Sequence, residues 1–193
     1  MNTGGSVFPQ TTILDWSSGA MLPSGEILVQ HLSGMFEAYA DSEAVANLLQ
    51  SGEDPVIYHA WTAGAPGETD HLVYRTTVRL PGELGGEYFM TRGHHHVKDS
   101  AEFYLGMSGT GLVLMQTRDG ELRVEKLEDK VAVYVPPGWA HRSVNTGLQE
   151  LVFLAVYFGD AGHDYGSMAQ SGFVARVFAR PTGPEVRVTE QPS

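Results

Sequence analysis

The stretch "GHHHVKDSAE", residues 93–102, sets three consecutive histidines close to a glutamate. Along an extended strand successive side chains alternate faces, so His94 and His96 share one face and His95 points to the other. Two imidazoles at that spacing can ligate one ion. Glu102 follows a turn through Val97–Ala101 and can close on the same ion. A fourth ligand stands in "VYVPPGWAHRSVN", where His141 follows a Pro-Pro-Gly turn. Imidazoles with a carboxylate suit zinc, iron, nickel or manganese, and ligand type alone does not choose among them. The chain has no cysteine, which excludes thiolate ligands and disulfides. His31, His59, His71 and His95 read as ordinary surface or core residues.

These side chains need a frame. From Val56 onward the chain is a series of short runs rich in β-branched and aromatic residues, such as "VIYHAW", "LVYRTTVRL", "TGLVLMQT" and "ELVFLAVYF", separated by Gly, Pro, Asn and Asp. Arg118-Asp119-Gly120-Glu121 is a hairpin turn, because Asp-Gly supplies the positive backbone angles it needs. Many short strands at this spacing predict a sandwich or barrel. Before Val56 the chain reads as an extended arm, then one helix. Asp41 or Ser42 caps the helix, Ala44, Val45, Leu48 and Leu49 form its apolar stripe, and Gly52 stops it. The expected division is residues 1–55 as N-terminal arm and short helix, 56–180 as barrel, and 181–193 as a polar tail that is a late edge strand or partly disordered.

With 193 residues the chain can bury a core without staples. Its 23 acidic against 12 basic residues give a net charge of −11, the opposite of a nucleic-acid-binding footprint. No apolar run of membrane-spanning length and no leader pattern is visible, so a soluble cytoplasmic protein without membrane or nucleic-acid partners is expected.

"GHHHVKDSAEFYLGMSGTGLVLMQ" and "VYVPPGWAHRSVN" resemble the two motifs of the cupin superfamily, carried here by Gly93, His94, His96, Glu102 and Gly109, then by Pro137, His141 and Asn145. The resemblance implies an all-β fold, a double-stranded β-barrel with an N-terminal arm and one or two short helices. It also implies His94, His96, Glu102 and His141 as ligands of one metal inside it. "DPVIYHAW", "TTVRLPGELGGEYFMTRGHHH", "YVPPGWAHRSVNTG" and "FLAVYFGDAGHDYG" go further. From about Leu32 to about Val177 the chain resembles the metal-dependent, archaeal-type phosphoglucose isomerases. The spacer between His96 and Glu102 is one residue shorter than in the archaeal members, a change a turn can absorb.

That resemblance implies a glucose-6-phosphate isomerase holding one divalent transition metal per subunit, iron ahead of zinc, manganese or nickel. Glu102 would move the proton between C1 and C2, or serve only as ligand while a hydride shifts directly. His163, in "DAGHDYG", would contact a sugar hydroxyl or shuttle the ring-opening proton. Thr77, Thr91 and the Gly93 amide, with Tyr58, Tyr157 and Tyr165, would hold the phosphate through neutral donors. Tyr104 lies on the face of Glu102 and can reach the same pocket, whereas alternation turns Arg92 away from it. The apolar segments "VFPQTTILDW" and "GMFEAYA" have little to pack on within one small barrel, and cupins often pair through such arms, so a homodimer is expected. Another metal-dependent cupin enzyme (a dioxygenase or a different sugar-phosphate isomerase) and a non-catalytic sugar-binding cupin share the ligand set. "DAGHDY" and the threonines separate the isomerase from them.

Overall fold

The short β runs pair into three sheets and a ribbon in a computed structural model, which describes residues 8–189. β1 (Ile13–Leu14) and β2 (Met21–Leu22) form the ribbon, and β3 (Glu26–His31) leads into a 3-10 helix at Leu32–Ala38 and then α1 (Ser42–Gln50). β4 (Val56–Gly64), β5 (Leu72–Arg79), β6 (Glu83–Leu84), β7 (Glu87–Tyr88), β8 (Glu102–Ser108) and β9 (Thr110–Gln116) follow. β10 (Leu122–Glu128), β11 (Ala132–Val135), β12 (Ala140–Asn145), β13 (Leu151–Phe158), α2 (Tyr165–Ser171), β14 (Ala175–Phe178) and β15 (Glu185–Val188) complete the chain. The sheets run β11-β8-β13-β5-β4-β3, β10-β9-β12 and β15-β14-β7-β6. This is the all-β cupin barrel that the motifs imply.

The period-2 pleat decides what faces inward. Antiparallel register sets Arg75 of β5 opposite Ala155 of β13, and Tyr157 of β13 opposite Glu102 of β8. Arg75, Thr77, Glu102, Tyr104, Phe153, Ala155 and Tyr157 all line one cavity on this face, and β12 of the facing sheet adds His141 and Ser143. Asn145 of the second motif plays a structural part: its Nδ2 donates to the carbonyls of Arg79 at 2.9 Å and Gln149 at 2.8 Å, tying β12 to β5.

The opposite face of the large sheet is covered by the chain's own arm. Thr76 Oγ1 donates to the Gly19 carbonyl, and the Thr12 and Tyr74 hydroxyls lie 2.7 Å apart. Gly19, at φ +70°, sits so close that a Cβ would meet Val78 Cγ2 at 2.9 Å. "GMFEAYA" packs inward as well, with Met35 and Tyr39 buried in the main core. The expectation that these segments lack a place on their own barrel is corrected for Met35 and Tyr39, which the 3-10 helix carries into the core, whereas Phe8, Ile13 and Trp16 of the first segment stay exposed. Ile13, Trp16, Leu22, Ile27, Val29 and Phe36 remain exposed; Val7 lies outside the described residues. β3 pairs along β4, so the large sheet begins before residue 56.

α1 begins as its cap requires, with the Asp41 carboxylate accepting from the Ala44 amide at 2.8 Å and Val45 fully buried. β15 is an edge strand paired with β14. Buried Glu87 accepts from Arg176 at 2.9 Å and from the Ala40 amide at 2.9 Å, which pins the C-terminal sheet to the N-terminal segment.

Candidate metal centre and active site

His94 and His96 sit in an extended segment held by single bridges rather than in a regular strand. The His94 and His141 backbones exchange hydrogen bonds of 3.3 and 3.0 Å, which sets two imidazoles side by side with ring centroids 4.6 Å apart. The His95 amide donates to the Asp164 carbonyl at 3.3 Å and the Asp164 amide donates back at 2.8 Å. That bridge delivers His163, whose ring lies 4.4 Å from that of His94. Asp164 then caps α2 by accepting from the Ser167 amide at 3.1 Å, so α2 begins within "DAGHDYG".

The four expected ligands converge: one donor atom from each of His94, His96, Glu102 and His141 lies within 4.8 Å of all the others. The second ring nitrogens are committed elsewhere. His96 Nδ1–H donates to the Ser100 carbonyl at 2.9 Å and His141 Nδ1–H to the Trp139 carbonyl at 3.2 Å. Each bond anchors Nδ1 and aims Nε2 at the shared point, where loss of the Nε2 proton would give the state a metal needs. Nε2 of His94 and of His141 is buried without a hydrogen-bond partner, although His141 Nε2 approaches Glu102 Oε2 at 2.9 Å. His96 Nε2 lies 3.0 Å from the same oxygen. Orphaned buried nitrogens aimed at a shared point are costly unless something occupies that point. A divalent transition ion fits this donor set of three nitrogens and an oxygen.

Charge follows the same logic. Burial holds the His94 pKa well below the usual imidazole range, with neighbouring His141 adding to the effect. Burial alone would raise Glu102, but His141 and His96 outweigh it and hold the carboxyl well below its ordinary range. The centre therefore holds a neutral His94 beside an ionised Glu102.

A cavity of about 550 Å³, including its mouth, opens over this centre. Its walls contain Tyr58, Thr77, Thr91, Gly93, Tyr104, Tyr157, His163 and Tyr165, together with His94, Glu102 and His141. A broader depression of about 1420 Å³ shares Arg92 and Tyr165 with it but carries none of the four ligands.

A family model described as glucose-6-phosphate isomerase matches residues 29–191. A glucose-6-phosphate isomerase of Thermococcus gammatolerans is 42% identical over 180 residues, covering 93% of each chain. One from Pyrococcus horikoshii is 42% identical over the same extent of both chains, and one from Sinorhizobium medicae is 36% identical over 85% of this chain and 77% of its own. The chain belongs to the glucose-6-phosphate isomerase family. It is an enzyme, an aldose–ketose isomerase of glucose 6-phosphate. A solved Bacillus subtilis oxalate decarboxylase variant aligns at TM-score 0.43 and 21% identity over 55% of this chain and 27% of its own, an overlap that adds nothing to the assignment.

For this isomerase the cavity walls are rich in hydroxyls. Burial raises the phenols of Tyr104, Tyr157 and Tyr165, so all three stay protonated and able to donate. Thr91 Oγ1 accepts from the Ser143 amide at 3.0 Å, which leaves its proton free to donate. Burial lowers His163 to about 4, so it is a neutral imidazole near pH 7 rather than a half-charged one. Gly93, at φ +78°, has no room for a side chain: a Cβ would meet Phe173 Cε2 at 2.4 Å.

No cavity role was assigned from the sequence to Arg75, Ser143, Phe153 or Ala155, and the expectation that alternation turns Arg92 away from the pocket is corrected. Arg75 and Ser143 line the wall, and so does Arg92. Alternation from Thr77 along "YRTTVR" places Arg75 on the same face, a signal available in the sequence. Arg92 escapes simple alternation because the positive φ at Gly93 turns the chain; its guanidinium lies 5.7 Å from the Tyr165 ring centroid and donates to the Gly34 carbonyl. His31, His59, His71 and His95 lie outside the cavity lining.

Proposed function

We propose that Glu102 carries the proton between C1 and C2 of the open-chain sugar phosphate. The observation that supports this is the division of its two oxygens. Both imidazole contacts fall on Oε2. Oε1 takes part in neither, and Glu102 lines the cavity. Oε1 is then the atom that takes the C2 proton of glucose 6-phosphate and returns it to C1, giving fructose 6-phosphate. His94, His96, Glu102 and His141 would hold one divalent ion per subunit, whose Lewis acidity, when bound, draws charge from O1 and O2. Neutral His163 accepts a hydroxyl proton during ring opening. Tyr58, Thr77, Thr91, the Gly93 amide, Tyr157 and Tyr165 converge their donors on the phosphate and the sugar hydroxyls, and Tyr104 fixes the end nearest Glu102. We favour iron in the centre, a cytoplasmic site of action consistent with a substrate whose charge keeps it inside cells, and an isologous dimer.

Direct hydride transfer is favoured by one observation: a carboxyl held far below its ordinary range is a weak base. Isomerisation in deuterated water separates the two routes. Metal stripping is expected to abolish activity and reconstitution to restore it, iron restoring most; activity that is unaffected by stripping would count against the metal reading. With Glu102 as base, product NMR shows solvent deuterium on the transferred carbon. Glu102→Gln then keeps metal on three imidazoles and loses turnover by roughly three orders of magnitude or more. Complete exclusion of label, together with a metal-replete and substantially active Glu102→Gln protein, would defeat the base assignment.

A further inference from the structure

None of the residues carried over from the family motifs to hold phosphate is a cation, yet the substrate is a dianion and the chain has a net charge of −11. Arg75 lines the cavity beside Thr77, Tyr157 and Tyr165. Its cross-strand neighbour on β13 is Ala155, whose methyl group leaves the guanidinium room. Arg75 is half-buried, and among the described residues no carboxylate forms an ion pair with it. Its charge acts on the donors around it: burial raises the Tyr157 phenol, and the adjacent guanidinium restrains that rise. Four residues further along the same face, Arg79 is 0% exposed. Its Nε donates to Ser143 Oγ at 3.3 Å, and its guanidinium carbon lies 4.9 Å from the Tyr58 ring centroid. Its Nη1 and Nη2 have no partner among the described residues. Thr77 is therefore flanked by two cations without carboxylate partners, one at the cavity wall and one behind it. A desolvated cation without a counter-ion strengthens the local potential toward anions.

We propose that Arg75 is the phosphate-binding cation of this isomerase, with Arg79 reinforcing the field from behind Tyr58 and Ser143. The proposal rests on the isomerase reading and adds to it a charged specificity determinant. A planar guanidinium can bond two phosphate oxygens at once, which hydroxyl donors do only one at a time. It explains how an acidic protein binds a dianion beside a set of neutral hydroxyl donors.

The test compares unsubstituted protein, Arg75→Ala and Arg75→Lys, all metal-loaded. It measures kcat and KM for fructose 6-phosphate, inhibition by inorganic phosphate, metal content and melting temperature. Arg75→Ala is expected to raise KM and weaken phosphate inhibition about 10- to 100-fold, the loss of a charge-assisted bond, with kcat changed less than about threefold. Arg75→Lys recovers part of the loss, because a point charge replaces the fork. A purely structural role would instead lower the melting temperature or metal content and leave phosphate inhibition unmoved. Should Arg75→Ala not fold, Arg75→Gln, which keeps an extended stem, takes its place against Arg75→Lys. KM and phosphate inhibition both within about twofold of the unsubstituted protein would overturn the proposal. Unsubstituted metal-loaded protein that does not turn over fructose 6-phosphate would overturn the isomerase reading instead; calorimetric titration with inorganic phosphate then still decides for or against Arg75.

Discussion

His163 shows how burial, aided by neighbouring His96 and Arg75, assigns a chemical state. In the unfolded chain its imidazole has the ordinary pKa of 6.5, and in the folded protein about 4. The unfolded state takes up the proton first, so the stabilisation from keeping His163 neutral is whole above pH 6.5 and is lost as pH falls through 4. Urea midpoints of the metal-free protein at about pH 7 and about pH 4 are therefore expected to lie further apart in the unsubstituted chain than in His163→Gln. Equal separations would show that the residue does not carry this linkage. Burial of this kind cannot be read from "DAGHDYG", which is why the sequence suggested a near-neutral titrating group. Arg75 escaped for a different reason: an arginine within a strand ordinarily marks the solvent face, and only the interior position of Thr77 two residues on shows the reverse. The four metal ligands were legible because the His94/His96 pair and nearby Glu102 suggest convergence and the resemblance to the two cupin motifs, which adds His141, implies it.

The ligands depend on elements of unequal regularity. Glu102 and His141 stand on β8 and β12, whereas His94 and His96 depend on the turn at Gly93 and two isolated bridges. The alternation of strands, the Asp-Gly turn and the Asp41 cap were plain in the sequence, since each is a local preference expressed locally. The 3-10 helix at Leu32–Ala38 and the placement of the ribbon were not, because both follow from contacts with strands distant in the chain. Gly93 tests the weaker half of the centre. Gly93→Ala would force φ +78° on a residue with a Cβ and push it against Phe173 and Arg142. A loss of about 1–3 kcal/mol in urea unfolding is expected, with weaker metal retention after dialysis against a chelator. Unchanged stability and full metal occupancy would mean that the turn tolerates a side chain after all.

β3 ends the large sheet with an edge that is unpaired among the described residues, and Ile27 and Val29 on it are 58% and 49% exposed. An apolar edge of this kind invites pairing with a second chain. The proposed dimer is accordingly expected to form through β3: light scattering at micromolar concentration should give twice the chain mass, and Ile27→Lys with Val29→Lys should give a monomer. A monomeric unsubstituted protein would count against it. The asymmetry of the metal centre also sets a timescale. β8 and β13 are each paired on both sides, so Glu102, Tyr104 and Tyr157 are released only when the sheet itself opens. The segment bearing His94 and His96 is held by single bridges and can part from the barrel at far smaller cost. A bound ion would have two ligands, Glu102 and His141, on paired strands and two, His94 and His96, on this bridged segment. Release of such an ion would then be expected to follow local opening of the bridged segment rather than opening of the whole sheet.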